Sequence, residues 1–427
     1  MKTPPIHHLP NGMPVVIVPL TGAESMTLLV LCKVGSRYET RELNGASHFI
    51  EHLMFKGTKR RPASTDISRV LDRYGAAYNA YTDKDLTGYY IKMDAAHTEL
   101  AIDLLYDMLF HSHFDKKEMD KERGVIIEEI NMYEDNPQMH IDDLLEASLY
   151  PDSTLGWDIA GPRENIRKVT REQLIAYRDA YYIPERMTVV LAGKIIPGAF
   201  DMIADRFGKV KRPAGKDTPF TPFVAPKRLP DPIAFQDKAT EQVQFSMAFH
   251  GFAADDANPL LPAAGLLGSI LGGGMSSRLF TELRERHGLC YSISAGHSAR
   301  EDIGAFGIQA GLEKRNIEKA VKAIIKELKS ILKDGVTAEE LRRAKDQVRG
   351  RLTLSFEDSA SQAEWYGRQW LFKKKLETPD IRLARFEKVT RADIKKAAKH
   401  LFRPEFMATA VIGPLGSKQY VQKLMKW

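Results

Sequence analysis

The sequence predicts an α+β fold made of two homologous domains, each a mostly antiparallel sheet with helices packed on one face. Three observations carry this prediction. Strands and helices come in runs rather than in strict βαβ alternation, a stretch from the middle of the chain recurs near its end, and a proline-rich segment separates the halves. With 427 residues, 43% of them hydrophobic, the chain can form two sizeable cores.

The elements of the first half follow from residue spacing. Short runs of β-branched and aromatic residues predict four strands, at 13–19, 26–35, 76–82 and 87–94. Apolar residues at helical spacing predict three long helices, at about 97–111, 115–135 and 139–150. Runs of this kind are typical of a sheet covered by helices.

An internal repeat extends the same plan to the second half. Residues 168–195 and 388–415 match at an offset of 220, and residues 132–135 and 355–358 match at an offset of 223. In both copies of the longer match, Thr-Arg opens a helix, a proline follows it, and a β-branched strand comes next. A period this long predicts two homologous domains rather than a solenoid.

The domain boundaries follow from a Pro- and Lys-rich stretch at 211–232, which is typical of an extended linker. We predict a first domain at 1–215, a linker at 216–232 and a second, homologous domain at 233–427.

One short motif carries the strongest chemical signal. His48-Phe49-Ile50-Glu51-His52 has two imidazoles four residues apart with a carboxylate between them. In a helix these side chains share one face, opposite the apolar Ala46, Phe49, Ile50 and Leu53. Two imidazoles so placed can bind one tetrahedral zinc ion, and the neighbouring carboxylate can act as a general base. Asn44-Gly45 and Gly57 are suited to cap the two ends of this helix. Surface residues that share a helix without binding metal are the alternative.

A third ligand is expected from an acidic helix over residues 117–136, whose apolar stripe comprises Met119, Ile126, Ile130 and Tyr133. Glu122 and Glu129 both border this stripe, whereas Glu128 points away from it. A half-buried carboxylate is costly unless it is paired or binds a metal. Periodicity therefore favours Glu129 as the ligand and Glu122 as a residue that supports the site, while ordinary surface acids remain the alternative.

These segments together resemble a known family. HFIEH, followed by MFKGT and then by KERGVIIEEINMYEDNPQ, resembles the insulinase/pitrilysin family of inverted-motif zinc metallopeptidases, and most closely its short-chain branch that includes mitochondrial processing peptidase and bacterial relatives. The resemblance implies one Zn²⁺ per chain, held by His48, His52 and Glu129, with Glu51 as general base. It implies a metalloendopeptidase that hydrolyses peptides or unfolded segments, with the second domain lacking the metal motif.

The resemblance also implies residues that contact substrate. Arg284 and Tyr291, seven residues apart, match a pair that holds the substrate backbone and stabilises the oxyanion. The Gly-rich stretch 271–275 corresponds to a loop near the substrate and lacks the sequence of a phosphate-binding loop. The predicted strand with Asn79, Ala80, Tyr81 and Thr82 matches an edge strand that pairs with an extended peptide. An ordinary core or edge strand is the alternative for the last.

The resemblance also implies a homodimer that encloses a chamber, because longer members of the family join four such domains and two copies of a two-domain chain can do the same. A heterodimer of homologous chains is the alternative. A non-catalytic or partner-dependent subunit of a processing-peptidase-like heterodimer is the rival function.

Composition argues against other classes. The net charge of +6 is modest and Lys and Arg are dispersed, so no nucleic-acid binding is expected. No apolar run reaches the roughly 18 residues of a membrane span, and the N-terminus does not resemble a signal peptide, so we expect a cytoplasmic protein that does not bind membranes. Cys32 and Cys290 are too few for a disulfide framework and are expected to be free and buried.

Overall fold

The computed structural model describes residues 2–211 and 220–427. The chain divides into two compact units. Unit 1 contains Met1–Ile130, Asp158–Thr221 and Thr353–Pro379, and unit 2 contains Asn131–Trp157, Pro222–Leu352 and Asp380–Trp427.

Each unit thus includes one segment from the other half of the chain. The predicted ranges 1–215 and 233–427 differ from this division by the segments 131–157 and 353–379. Part of the predicted linker, 216–219, lies outside the described residues.

The helices in chain order are α1 (Ala46–Leu53), α2 (Ser64–Arg73), α3 (Thr98–His111), α4 (Lys116–Asp135), α5 (Pro137–Leu149), α6 (Arg163–Lys168), α7 (Arg171–Tyr181), α8 (Ala199–Phe207), α9 (Leu261–Gly272), α10 (Ile317–Asp334), α11 (Ala338–Ser355), α12 (Ser359–Lys373), α13 (Pro379–Glu387), α14 (Arg391–Leu401) and α15 (Lys418–Leu424). None of the described helices is both long enough and apolar enough to cross a lipid bilayer.

Unit 1 is built on a six-stranded sheet in the order β1-β2-β6-β3-β5-β4. Its strands are β1 (Ile6–His8), β2 (Pro14–Pro19), β3 (Ser25–Cys32), β4 (Ala77–Thr82), β5 (Thr87–Asp94) and β6 (Met187–Gly193). All neighbouring strands pair antiparallel except β2 and β6, which are parallel. The four strands predicted for the first half correspond to β2, β3, β4 and β5.

Unit 2 repeats this sheet with five strands, in the order β7-β11-β8-β10-β9. The strands are β7 (Ile233–Gln236), β8 (Val243–Gly251), β9 (Cys290–Ala299), β10 (Gly304–Leu312) and β11 (Met407–Ile412). Here too one pair among the described strands, β7 with β11, is parallel, and the other neighbours are antiparallel. The predicted α+β class with two homologous domains is confirmed.

The repeat seen in the sequence forms the same structure in both units. Thr170 caps α7 and Thr390 caps α14, each in a reciprocal capping box with the residue three positions on, Gln173 or Asp393. Each helix is followed by a short 3₁₀ turn that begins with proline and then by a buried strand, β6 or β11.

The two segments exchanged between the halves are also equivalent in the repeat, because α5 follows the motif at 132–135 and α12 follows the motif at 355–358. Helix α12 packs on β3 and β6 of unit 1, and α5 packs on β8 and β11 of unit 2. The main core of unit 1 takes Leu28 and Val30 of β3, whereas the alternate residue Leu31 faces α12. Besides the predicted helical face, each sheet therefore carries one exchanged helix on its other face.

Helix α12 lies very close to its sheet because a glycine is at the contact. A Cβ atom added at Gly367 would lie 2.8 Å from Leu31 Cδ1 and 3.1 Å from Val190 Cγ2. Cys32 and Cys290 are buried and free, as predicted.

We expect Gly367→Leu to lower the free energy of unfolding by about 1–3 kcal/mol, because the larger side chain must push the helix off the sheet. Gly350→Leu is the matched control, since an added Cβ at this helical glycine of α11 meets nothing within 4 Å. Urea unfolding of both variants measures the difference. Equal losses in the two variants would contradict the close packing of α12.

Candidate metal centre

Helix α1 presents two different faces, as its sequence predicts. Phe49, Ile50 and Leu53 are fully buried in the core of unit 1. The opposite face carries His48, Glu51 and His52, which are all partly exposed. Burial of the apolar face therefore fixes which way the three polar side chains point.

The start of α1 is capped by a residue that the sequence analysis missed. The buried carboxylate of Glu39 accepts hydrogen bonds from the backbone N–H groups of Gly45 (2.8 Å) and Ser47 (2.7 Å) and from the side chain of Asn44 (3.0 Å). The predicted cap, Asn44, donates to Glu39 instead of accepting from the helix. Burial raises the pKa of Glu39 to about 7, and the hydrogen bonds that it accepts oppose that rise. Its carboxyl group satisfies N–H groups that the start of a helix leaves unpaired. Its six-residue distance from Gly45 follows no capping pattern that could have identified it.

Glycine at position 45 is required by the backbone. Gly45 has φ +101°, and an added Cβ would lie 2.5 Å from the carbonyl oxygen of Ala160. At the other end, α1 stops at Leu53 with Met54 as its cap, so the predicted cap Gly57, with φ +109°, lies beyond the end of the helix.

Three ligand atoms converge beside α1. His48 Nε2 and His52 Nε2 are 3.2 Å apart, and Glu129 Oε2 of α4 lies 3.6 Å from the first and 3.4 Å from the second. Ligands bound tetrahedrally at about 2.0–2.1 Å from one zinc ion are about 3.3 Å apart. The three side chains therefore fit a single metal ion in both donor type and spacing.

The structure separates the three acids of α4 as the helical periodicity predicts. Glu129 is half-buried beside the imidazoles, Glu122 is buried, and Glu128 is exposed. The apolar stripe is shorter than predicted, because Tyr133 at its far end is exposed.

Glu122 holds one of the two histidines in place. Its Oε1 lies 2.8 Å from Nδ1 of His52, and its Oε2 lies 2.7 Å from the ammonium of Lys56. A carboxylate on one ring nitrogen sets the tautomer and leaves the other nitrogen for a metal. Lys56 was missed, although its position four residues after His52 and eight after His48 was a usable signal.

The charges of the cluster favour a bound cation. Burial, together with the nearby His52, lowers the pKa of His48 to about 4. Burial also opposes protonation of His52, but hydrogen bonds to Glu122 and Glu129 outweigh it and raise its pKa to about 9. The bond from His52 holds the pKa of Glu129 below its ordinary value. When no metal is bound, the neighbouring carboxylates of Glu122 and Glu129 thus keep His52 protonated. A metal ion that binds this imidazole must displace the proton.

Glu51 lies next to the cluster and is held by the edge strand β4. Its Oε2 accepts a hydrogen bond of 2.5 Å from the hydroxyl of Thr82. Burial raises the pKa of Glu51, and the bond from Thr82 opposes that rise. The four residues Asn79, Ala80, Tyr81 and Thr82 all belong to β4, whose only neighbour among the described strands is β5.

The remaining predicted site residues belong to unit 2. Arg284 lies in a π-helical turn, Phe280–Arg286, and Tyr291 lies at the start of β9. The Arg284 guanidinium is 4.6 Å from the centre of the Tyr291 ring and donates a hydrogen bond to the Tyr291 carbonyl. Tyr291 is 72% exposed, so this pair is open to a ligand. The Gly-rich stretch 271–275 covers the end of α9 and the turn after it.

Known proteins resemble the chain over nearly its whole length. The family model "Insulinase (Peptidase family M16)" matches residues 15–163, and the model "Peptidase M16 inactive domain" matches residues 168–348. An uncharacterized zinc protease of Bacillus subtilis is 35% identical over 408 residues, which is 95% of this chain and 97% of that protein. One of Streptomyces coelicolor is 34% identical over 423 residues, which is 96% of this chain and 90% of that protein.

Solved structures share the fold. A protease from Helicobacter pylori superposes with a TM-score of 0.90 at 24% identity, covering 97% of this chain and 100% of that chain. A peptidase M16 inactive domain from Pseudomonas fluorescens superposes with a TM-score of 0.86 at 19% identity, covering 97% of this chain and 99% of that chain.

The duplicated sheet and the inverted H-x-x-E-H motif, with its glutamate on a second helix, define a two-domain protein with a candidate metal centre in its first unit. The chain belongs to the M16 (insulinase) peptidase family, as its sequence predicts.

We expect Glu129→Gln to cause the largest loss of Zn²⁺ affinity among three variants of α4, because it removes a ligand atom. Glu122→Gln should lower the affinity by about 10–100-fold, as the loss of a residue that orients a ligand does. Glu128→Gln, on the exposed side, is the control and should leave the affinity unchanged. Competition titration with a chromogenic chelator gives all three constants. A loss at Glu128 without one at Glu129 would refute the assignment.

Proposed function

We propose that the protein is a zinc-dependent metalloendopeptidase that hydrolyses peptides or unfolded polypeptide segments. The observation that carries this proposal is the convergence of His48, His52 and Glu129 at tetrahedral spacing with Glu51 beside them. Names of relatives that include "zinc protease" support both the metal and the reaction class.

The proposed chemistry divides the work between the metal and the chain. When bound, zinc lowers the pKa of a coordinated water to about 7 and polarises a carbonyl oxygen. His48, His52 and Glu129 hold the ion. Glu51 takes the proton of the attacking water and later returns it to the leaving amine. Tyr291 and Arg284 supply a phenol and a guanidinium that stabilise the developing oxyanion and hold the substrate backbone.

Substrate would bind as an added strand. Strand β4 is an edge strand, so its outer backbone groups can pair with an extended peptide. Main-chain pairing gives affinity with little dependence on side chains. Because only an extended chain can pair in this way, peptides and unfolded segments are favoured over folded domains.

We expect Glu51→Gln to reduce kcat by at least about 100-fold while Zn²⁺ stays bound, since the amide keeps the shape of the side chain but cannot accept a proton. Glu128→Gln is the control and should retain full activity. The measurements are hydrolysis of an internally quenched peptide and metal content by elemental analysis. Near wild-type turnover of Glu51→Gln would refute its role as general base.

We propose further that two copies of the chain assemble about a two-fold axis, the commonest symmetry for homo-oligomers. In this arrangement, Arg284 and Tyr291 of one chain complete the site formed by His48, His52 and Glu129 of the other. The competing proposal, a subunit that needs a different homologous chain, gives no activity from the purified chain alone.

Complementation tests the shared site. We expect inactive Glu51→Gln and impaired Tyr291→Phe to recover about a quarter of wild-type activity when mixed equally under exchange, because half the dimers are mixed and each has one intact site. The control mixture, Glu51→Gln with Glu129→Gln, damages the same half of both chains and should recover none. Confirmed exchange without recovery in the first mixture would refute the shared site.

A further inference from the structure

We infer that Thr82 is a positioning residue for Glu51: its hydroxyl holds one carboxylate oxygen so that the other is presented to the reacting water. The inference rests on the proposed function and deepens it. It gives strand β4 a second role beside substrate pairing.

The hydrogen bond is specific in its geometry. The Thr82 hydroxyl donates to Oε2 of Glu51 at 2.5 Å, and both residues are partly buried. Oε1 of Glu51 has no protein hydrogen-bond partner within residues 2–211 and 220–427. One oxygen is thus fixed by the protein, and the second is left to accept a proton.

The direction of Thr82 is determined by the pleat of β4. Alternate residues of a strand face the same side, and Ala80, two residues before Thr82, is buried in the core that contains α1. Tyr81, between them, points the other way and donates its hydroxyl proton to Glu364 of α12. The Thr82 hydroxyl therefore faces the helix that carries Glu51.

Contacts on the opposite side of the strand hold β4 in this register. Glu364 binds both Tyr81 and Arg368, and the Tyr81 ring covers Gly88, its cross-strand neighbour on β5. The strand is thus anchored to α12 by Tyr81, while its next residue anchors the side chain of Glu51. The position of Thr82 is therefore fixed by contacts that do not involve His48, His52 or Glu129.

A positioned base needs such a contact because a glutamate side chain has several rotamers to lose. A general base must lie within hydrogen-bond reach of the proton that it takes. The backbone of α1 fixes only the Cα–Cβ direction of Glu51. The hydroxyl of Thr82 restricts the torsions beyond it.

The test compares Thr82→Val, which keeps the shape and removes the hydroxyl, with Thr82→Ser, which keeps the hydroxyl. We expect Thr82→Val to lower kcat by about 10–100-fold, the scale of a hydrogen bond to a charged group. The KM and the bound Zn²⁺ should be unchanged, because backbone pairing and the metal ligands remain. Thr82→Ser should restore most of the lost turnover. Thr82→Ala takes the place of the valine variant if the latter does not fold.

Thr87→Val is the matched control. Thr87 is the cross-strand partner of Thr82, but its hydroxyl donates to the carbonyl of Val34 at 2.9 Å and not to Glu51. This variant should be less stable yet keep its kcat. In a Glu51→Gln background, Thr82→Val should have no further effect, because the group through which it acts has gone.

Crystal structures of the zinc-free variants provide a readout that is independent of activity. Glu51 should adopt one conformer in the wild type and in Thr82→Ser, and several in Thr82→Val. Wild-type kcat for Thr82→Val, an equal loss in the Glu51→Gln background, or an unchanged Glu51 conformer would each overturn the inference. A wild-type protein that hydrolyses no peptide would refute the proposed function alone, since the conformers still test the role of Thr82.

Discussion

The candidate site depends on the way in which one short helix is held. Helix α1 buries Phe49, Ile50 and Leu53, so rotation about its axis would expose apolar surface. Glu39 fixes its start through two backbone N–H groups. Because the start of α1 and its rotation about its own axis are both fixed, the positions of His48, Glu51 and His52 follow from helix geometry. The second helix, α4, needs only to bring two acids to that surface.

The supports around the cluster come from separate elements. Glu122 of α4 orients His52, and Thr82 of β4 orients Glu51. Strand β4 is in turn tied by Tyr81 to α12, a helix that the chain contributes from its second half. The exchanged segment therefore contributes to the unit that contains the candidate metal centre and is not a peripheral addition. A larger side chain at position 367 would therefore displace residues of the sheet as well as α12.

The parts that the sequence could predict are those governed by local periodicity. The apolar face of α1 and the position of Glu129 relative to Glu128 follow from the 3.6-residue repeat of a helix. The strands of the first half follow from short runs of β-branched and aromatic residues. The duplication was recognisable from the Thr-Arg start, the proline and the strand that both copies share, and the structure shows that Thr170 and Thr390 cap the same helix in each copy. Resemblance to a family supplied what periodicity could not, notably the candidate roles of Arg284 and Tyr291.

The parts that the sequence could not predict depend on contacts between distant segments. Glu39 has no spacing that marks it as a cap, and the Thr82 hydroxyl meets Glu51 only because β4 lies beside α1. Helices α5 and α12 each pack on the sheet of the other half of the chain. The apolar faces of amphipathic helices are similar, so their sequences do not show which sheet each will cover. Continuous ranges drawn from linker composition therefore miss the two exchanged segments.

The negative charges of the site residues would be balanced better by a bound metal ion than by the other residues of the site. Glu51, Glu122 and Glu129 bring three carboxylates close to two imidazoles, and Lys56 pairs with only one of them. Mutual repulsion and partial burial would raise the energy of this cluster if nothing positive lay in it. A proton on His52 meets part of that need, as its pKa of about 9 indicates. A divalent cation would meet it more fully, and His48 Nε2, His52 Nε2 and the Glu129 carboxylate already lie at the spacing needed to hold one. Glu51, held by Thr82 and not by the three ligand residues, would then remain available for the role of base that we propose.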